Sequence, residues 1–250
     1  MRQENRAAVI IPAHNEDATV GAVVSASREA ALVGEVVVVD DGSTDDTAAT
    51  AVASGARVVA NAQRGKGEAM LTGARATDAE VLVFLDADLT GLRPDHVDRL
   101  ARPVLDGSVA MTVGLFDRGP LLNPVFLWLL PRLAGERAMR RELLLTLHPR
   151  DTRGYRMEAA LNSHVVHRGG RVRPFVLDGM FHRTKEQKES VALVGLVRKV
   201  GMLSVAMWEY LAYQLRAAAR TLVRRSARST TSRDRARERS AGPARRARTR

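Results

Sequence analysis

Two aspartates separated by one alanine, Asp86-Ala87-Asp88, follow the apolar run Val81–Leu85. Side chains two residues apart on an extended chain point to the same side, so both carboxylates would face one spot. Oxygen ligands of this kind suit Mg2+ or Mn2+, which are commonly held by one or two carboxylates together with substrate phosphates. An isolated Asp-x-Asp is more often a polar turn, but two other polar clusters share its setting. Pro12-Ala13-His14-Asn15-Glu16 follows Ala7–Ile11, and Asp40-Asp41-Gly42-Ser43-Thr44 follows Val36–Val39. The first offers hydrogen-bonding groups to a nucleotide's base or ribose. In the second, Asp41 and Ser43 suit the same task, whereas Gly42, Asp45 and Asp46 read as turn and helix-dipole residues. Arg64-Gly65-Lys66-Gly67 opens a helical stretch, and a helix N-terminus with a lysine is a natural diphosphate site. The Walker A spacing fails because Gly67 follows Lys66, which argues against a P-loop nucleoside triphosphatase.

The elements that must position these groups alternate in period. Ala7–Ile11, Val36–Val39, Arg57–Ala60 and Val81–Leu85 are short apolar runs expected of strands, with Pro12 ending the first. Between them, Asp17–Ala31, a segment capped by Thr44, and Lys66–Ala76 have helical spacing. Strand–helix alternation predicts an α/β fold with a mostly parallel, doubly wound sheet flanked by helices. In such sheets ligands collect beyond the carboxyl ends of the strands, where all the polar clusters fall. Further on, helices are expected at Pro94–Leu105, Gly135–Thr146 and Arg156–His167, and strands at Val109–Val113 and Arg171–Asp178. Gly119–Pro131 is strongly apolar. From Ser190 to about Arg225 a long helical stretch has few breakers, and Ser226–Arg250 has the Arg, Ser, Thr and Ala bias of a disordered tail.

Composition bounds the function. The chain has 250 residues, 45% hydrophobic and 27% charged, which is globular and excludes wholesale disorder. With no cysteine, a disulfide framework, a cysteine–zinc site and a thiol nucleophile are all excluded. The net charge of +11 taken alone suggests a nucleic-acid binder. Between Arg216 and Arg250, however, thirteen arginines stand against Asp234 and Glu238, so this segment carries the whole excess and the rest is neutral. Specific nucleic-acid binding by the body is therefore not expected. The N-terminus lacks a signal-peptide run, and Gly119–Pro131 is too short for a membrane span of about 20 residues. A cytoplasmic protein is expected. Trp208, Tyr210 and Tyr213 beside the arginines also fit a peripheral anchor on the anionic inner face of the cell membrane.

The ordered motifs IPAHNE, VVVVDDGSTDDT, RGKGEAMLTGA and VLVFLDADLT resemble the nucleotide-sugar-binding half of family 2-like glycosyltransferases of the Rossmann-like GT-A fold. The resemblance covers about residues 7–115. It implies Mg2+- or Mn2+-dependent transfer of a sugar from a nucleoside diphosphate. Pro12, Ala13, Asn15, Glu16, Asp41 and Ser43 would line the nucleoside, Lys66 would assist the donor, and Asp86 and Asp88 would hold ribose and metal. LAGERAMRREL, RGYRMEAALN and VLDGMFHRTKEQK are similar to segments of glucosyl-3-phosphoglycerate and mannosyl-3-phosphoglycerate synthases and of short bacterial relatives. That similarity implies Glu158 near the reacting centre and His182 completing the metal site. With the helical stretch and the biased tail described above, three regions are expected: a GT-A catalytic domain over 1–189, an apolar C-terminal helix over 190–225 and a disordered basic tail over 226–250.

The expected activity is transfer from a UDP-glucose-like donor to a small phosphorylated acceptor such as 3-phosphoglycerate. A polyprenyl phosphate at the membrane is the alternative acceptor, and a second copy of the chain is a candidate partner. A different class of reading is a polyanion-binding protein that acts through the arginine-rich tail. The neutral body argues against that reading, because bases on a disordered segment give unspecific, salt-sensitive attraction.

Overall fold

In the computed structural model the described residues are 6–117, 123, 135–147 and 156–182. The apolar run 119–131, the expected C-terminal helix and the arginine-rich tail lie outside them, apart from Asn123. So do the side chains of Glu158 and His182.

Continuously apolar runs make the centre of a seven-stranded sheet. β1 (Ala7–Ala13), β2 (Val33–Asp40), β3 (Arg57–Ala60) and β4 (Val81–Phe84) are mutually parallel and adjoin in the order β3-β2-β1-β4. β6 (Met111–Phe116), β7 (Arg137–Arg140) and β8 (Val172–Leu177) complete it as β4-β7-β6-β8. β7 runs antiparallel to both neighbours, and β8 is parallel to β6. A two-stranded sheet pairs β5 (Leu89–Thr90) with β9 (Phe181–His182). The mostly parallel doubly wound sheet expected from the sequence is therefore present.

Alternation along the strands divides the core into two layers. Val9 and Ile11 face α1 (Asp17–Glu29), α2 (Thr47–Ala53) and α4 (Pro94–Leu105), where Val20, Val24, Ala51, Val97 and Leu100 are buried. Ala8 and Ile10 face α3 (Lys66–Arg75), α5 (Arg141–Leu145) and α6 (Arg156–His167) through Ala69, Met70, Leu144, Met157 and Leu161. Gly73 lets α3 lie close on β1: a Cβ there would come 2.3 Å from Ile10 Cγ2.

Four local expectations are corrected. Residues 135–146 do not form one charged helix. Arg137–Arg140 is strand β7, wedged between β4 and β6, and only Arg141–Leu145 is helical. The arginine- and glutamate-rich stretch has high helix propensity, but the central position in the sheet overrides it. β1 does not stop at Pro12 but continues to Ala13. Its ladder with β4 ends at Ile10, so Pro12 lies beyond that pairing. Thr44 is not the cap of α2, whose N-cap is Asp46. Thr44 donates its N–H to Asn15 Oδ1 instead. The sixth strand spans Met111–Phe116, starting later than Val109.

Candidate functional site

Because β1, β2, β3 and β4 are parallel, their C-terminal ends open on one edge. The register places Ala13 opposite Asp40 and Asp40 opposite Ala60. At the β1 exit Asn15 takes the left-handed conformation, φ 56°, which asparagine tolerates better than most residues. Its N–H donates to Ser43 Oγ at 3.1 Å, while its Oδ1 accepts from Thr44 N at 2.8 Å. The Glu16 N–H donates to Thr47 Oγ1 at 2.8 Å. These bonds lock the β1 and β2 exit loops together, so Asn15, Glu16 and Ser43 are neighbours, as the motifs implied. Asp45 accepts the Thr47 N–H and hydroxyl and the Asp17 N–H. The Thr47 side chain is the main cause holding its carboxyl below the usual range.

Asp41 reaches further across the edge. Its N–H donates to Ala13 O, while its carboxylate accepts from Asn61 Nδ2 and from the Gly65 N–H. Gly65 is the N-cap of α3 at φ 130°, a region that favours glycine. The helix therefore starts on this edge with its partial positive end, and Lys66 is its first residue.

Lys66 Nζ lies 2.7 Å from Asp86 Oδ1, with 43% and 22% of the two side chains exposed. The backbone of Gly135, just before β7, presses on this pair. A Cβ there would come 2.9 Å from Asp86 Oδ2 and 3.1 Å from Lys66 Nζ. Asp88 immediately precedes β5, whose Leu89 stands opposite His182 on β9. Thr90 Oγ1 also donates to Phe181 O at 3.1 Å. Asp88 thus directly precedes the strand residue that pairs with His182, although Asp88 and His182 are 94 residues apart in the sequence.

The turn before β9 is clamped to the start of α4. Arg93 donates to Asp178 O at 3.1 Å and to Asp178 Oδ2 at 3.2 Å, and Arg99 donates to Val176 O at 3.1 Å. Its own backbone N–H and Arg93 hold the Asp178 carboxyl below its ordinary range. Buried His96 accepts the Arg93 N–H on Nδ1, and burial pushes its pKa down.

Among the described residues no group of three or more His, Asp and Glu side chains forms a ready metal cage. The donor chemistry nevertheless fits a divalent ion of the Mg2+ or Mn2+ type: the Asp88 carboxylate next to a strand that carries an imidazole residue. Glu158 falls in the first turn of α6, the helix that precedes β8. Among the described residues no helix is long and apolar enough to cross a membrane.

Reasoning from sequence did not single out Asn61, Arg93 or Gly135. Asn61 and Arg93 act through long-range hydrogen bonds, and Gly135 through a close backbone approach. The glycine before the GERAMRREL segment's charged run was the one local signal.

Residues 8–162 match the family model described as Glycosyl transferase family 2. A glucosyl-3-phosphoglycerate synthase of Mycobacterium tuberculosis is 36% identical over 177 residues, covering 56% of this chain and 55% of that protein. The chain thus spans about half the length of the curated relatives it matches. A crystal structure of a glucosyl-3-phosphoglycerate synthase from the same organism with Mn2+, UDP-glucose and phosphoglyceric acid superposes with a TM-score of 0.63. That pair is 32% identical over 72% of this chain and 73% of that one. A complex of that enzyme with Mn2+, UDP and glucosyl-3-phosphoglycerate gives 0.66 at 31% identity, over 84% and 79%.

Proposed function

Since the chain belongs to glycosyl transferase family 2, we propose that it transfers glucose from UDP-glucose to a small phosphorylated acceptor of the 3-phosphoglycerate type. The observation that carries the reading is the convergence of Lys66, Asp86 and the start of α3 at the edge where four parallel strands end. That edge offers cationic and hydrogen-bonding groups to a diphosphate and carboxylates to a cation, in one place. Further support comes from the solved relatives, whose complexes hold Mn2+, UDP-glucose and phosphoglyceric acid.

In this reading Pro12, Ala13, Asn15, Glu16 and Ser43 line the nucleoside, with the Asn15–Ser43 bond fixing the two loops that do so. Lys66 and the N–H groups of the first turn of α3 stabilise the negative charge that develops on the departing diphosphate. Asp86 keeps Lys66 extended toward that charge. Asp88 and His182, with Asp86 beside them, would hold Mg2+ or Mn2+, which when bound supplies Lewis-acid charge to the leaving group. Glu158 orients the acceptor hydroxyl or takes its proton.

The test is incubation of the purified full chain and Mn2+ with UDP-glucose labelled in the sugar, adding 3-phosphoglycerate or a polyprenyl phosphate. Label in the aqueous sugar-acid fraction is the expected result. Label in the organic phase assigns a lipid acceptor instead, and label that stays on the donor with both acceptors contradicts the reading.

A further inference from the structure

The edge of the sheet opposite the donor site, where β1, β2 and β3 begin, carries a cleft of about 420 Å3. The ends of α1 and α2 close its other side. Its described lining includes three arginines, Arg6, Arg28 and Arg57, and one carboxylate, Glu35. β2 runs eight residues from this edge to the donor edge, about 23 Å at the usual rise per strand residue. Side chains of the cleft therefore do not reach the donor site.

Local backbone makes room for the arginines. Arg28 lies in the last turn of α1. Its guanidinium crosses the turn after α2, where Gly55 has φ 90° and a Cβ would come 2.4 Å from Arg28 Nη1. Nη1 donates to Ser54 O at 3.4 Å, which engages one of the five guanidinium N–H groups. Arg6 leads into β1 and lies along Gly34, where a Cβ would come 3.0 Å from Arg6 Cβ. Among the described residues, neither Arg6 nor Arg28 has a carboxylate within ion-pair distance. Arg57 is paired: its Nη2 donates to Glu35 Oε2 at 2.9 Å and to Ala76 O at 2.6 Å. The Thr77 hydroxyl donates to the other Glu35 oxygen. Three guanidiniums against one carboxylate leave two positive charges facing one cleft.

We propose that this cleft is a second anion site, which takes the phosphoryl group of a small phosphate monoester or free phosphate. A phosphate monoester carries about −1.5 to −2 at neutral pH and balances both uncompensated guanidiniums, whereas a single carboxylate balances one. The planar forks of arginine also match pairs of phosphate oxygens. The volume falls in the range of small-molecule sites, about 300–1,000 Å3, so a monoester with a compact polar body fits better than the bare ion. No aromatic side chain belongs to the described lining, so a nucleobase finds nothing to stack on. A nucleic acid is disfavoured by Glu35 and by the neutral body.

Glucose 6-phosphate and inorganic phosphate serve as probes, titrated calorimetrically into the full chain without divalent ions at constant ionic strength. Arg6→Gln and Arg28→Gln are each expected to weaken glucose 6-phosphate about tenfold, the scale of one charge-assisted hydrogen bond. Arg102→Gln removes the same charge from an exposed position on α4 outside the cleft, and its affinity stays within about twofold of wild type. The arginine-rich segment from Arg216 onward is common to all four proteins, so its attraction cancels. Unchanged melting temperatures without ligand show that the variants fold. Inorganic phosphate bound as tightly as glucose 6-phosphate, and weakened by the same two substitutions, assigns free phosphate as the ligand. Weaker inorganic phosphate assigns the monoester. A sugar phosphate held at the donor edge instead gives one affinity for the wild type and both cleft variants, which overturns the proposal. Equal weakening in Arg102→Gln, or no uptake of either probe by the wild type, overturns it as well.

Discussion

An exposed lysine–carboxylate pair contributes little to stability, about 0–1 kcal/mol, yet Lys66 and Asp86 approach to 2.7 Å at the very end of β4. The expected consequence is a separation of effects. Lys66→Ala leaves the melting temperature nearly unchanged and lowers kcat/KM about 100-fold, the scale seen when a group facing developing charge is removed. A steady-state assay beside a melting curve checks this, and a large loss of stability with full activity would contradict it. Gly135 makes a second residue-level claim. A methyl group there must displace the Asp86 carboxylate or the Lys66 ammonium, because neither 2.9 Å nor 3.1 Å leaves room for it. Gly135→Ala is expected to lower donor turnover about tenfold or more, since small misplacements of positioning groups are costly, while circular dichroism stays native. The carboxylates, the lysine and the loop asparagine were legible in the sequence because each directly follows an apolar strand or opens a helix. Gly135 and Asn61 were not, because their importance lies in contacts that only the folded sheet creates.

At the scale of elements, α3 is the part whose placement matters most, and it depends on a glycine. Alanine is the better helix former by about 1 kcal/mol, so a helix considered alone would gain from Gly73→Ala. Against β1 the added methyl would lie 2.3 Å from Ile10 Cγ2, and the overpacking cost of about 1–3 kcal/mol dominates. Chemical denaturation should therefore show a net loss of stability, and a gain would mean that α3 packs less closely than described. The junction of α4 with the β8–β9 turn makes a pH prediction. His96 is flanked by Arg93, Asp95 and Arg99 on its own helix side and faces Asp178 from the turn, with burial the first cause lowering its pKa. The unfolded chain then binds this proton at a higher pH than the folded one. Stability contributed here is full above about pH 6.5 and is lost as the pH falls through the lower folded value. Melting temperature should drop between about pH 7 and pH 5, and less so in His96→Asn, whose Oδ1 can still accept the Arg93 N–H. An equal drop in both proteins would remove His96 as the cause. β7 shows where element reading from sequence stops. Arg137 is fully buried in it, and a strand carrying two arginines within four residues has no apolar alternation to betray it.

For the whole molecule, the sheet edge and the charge distribution are separate features. The excess of +11 belongs to the segment from Arg216 onward, and the body that builds the site is neutral. Deleting residues 226–250 is expected to leave metal-dependent donor turnover within about twofold while reducing salt-sensitive adsorption to anionic surfaces. Turnover abolished by the deletion would favour the polyanion-binding reading. The parallel half of the fold could be read from the sequence because apolar runs, turn signals and helices alternate without interruption over the first 90 residues or so. The later half, with its antiparallel β7 and the β5–β9 pairing that brings His182 opposite Leu89, depends on contacts between distant segments, which local pattern does not encode. Calorimetric titration of UDP-glucose into the wild-type chain and Asp88→Ala, each with and without Mn2+, bears most directly on the central claim. Uptake that requires the ion in the wild type and is lost in the variant is the predicted result. Uptake that ignores both the ion and the substitution would contradict the account.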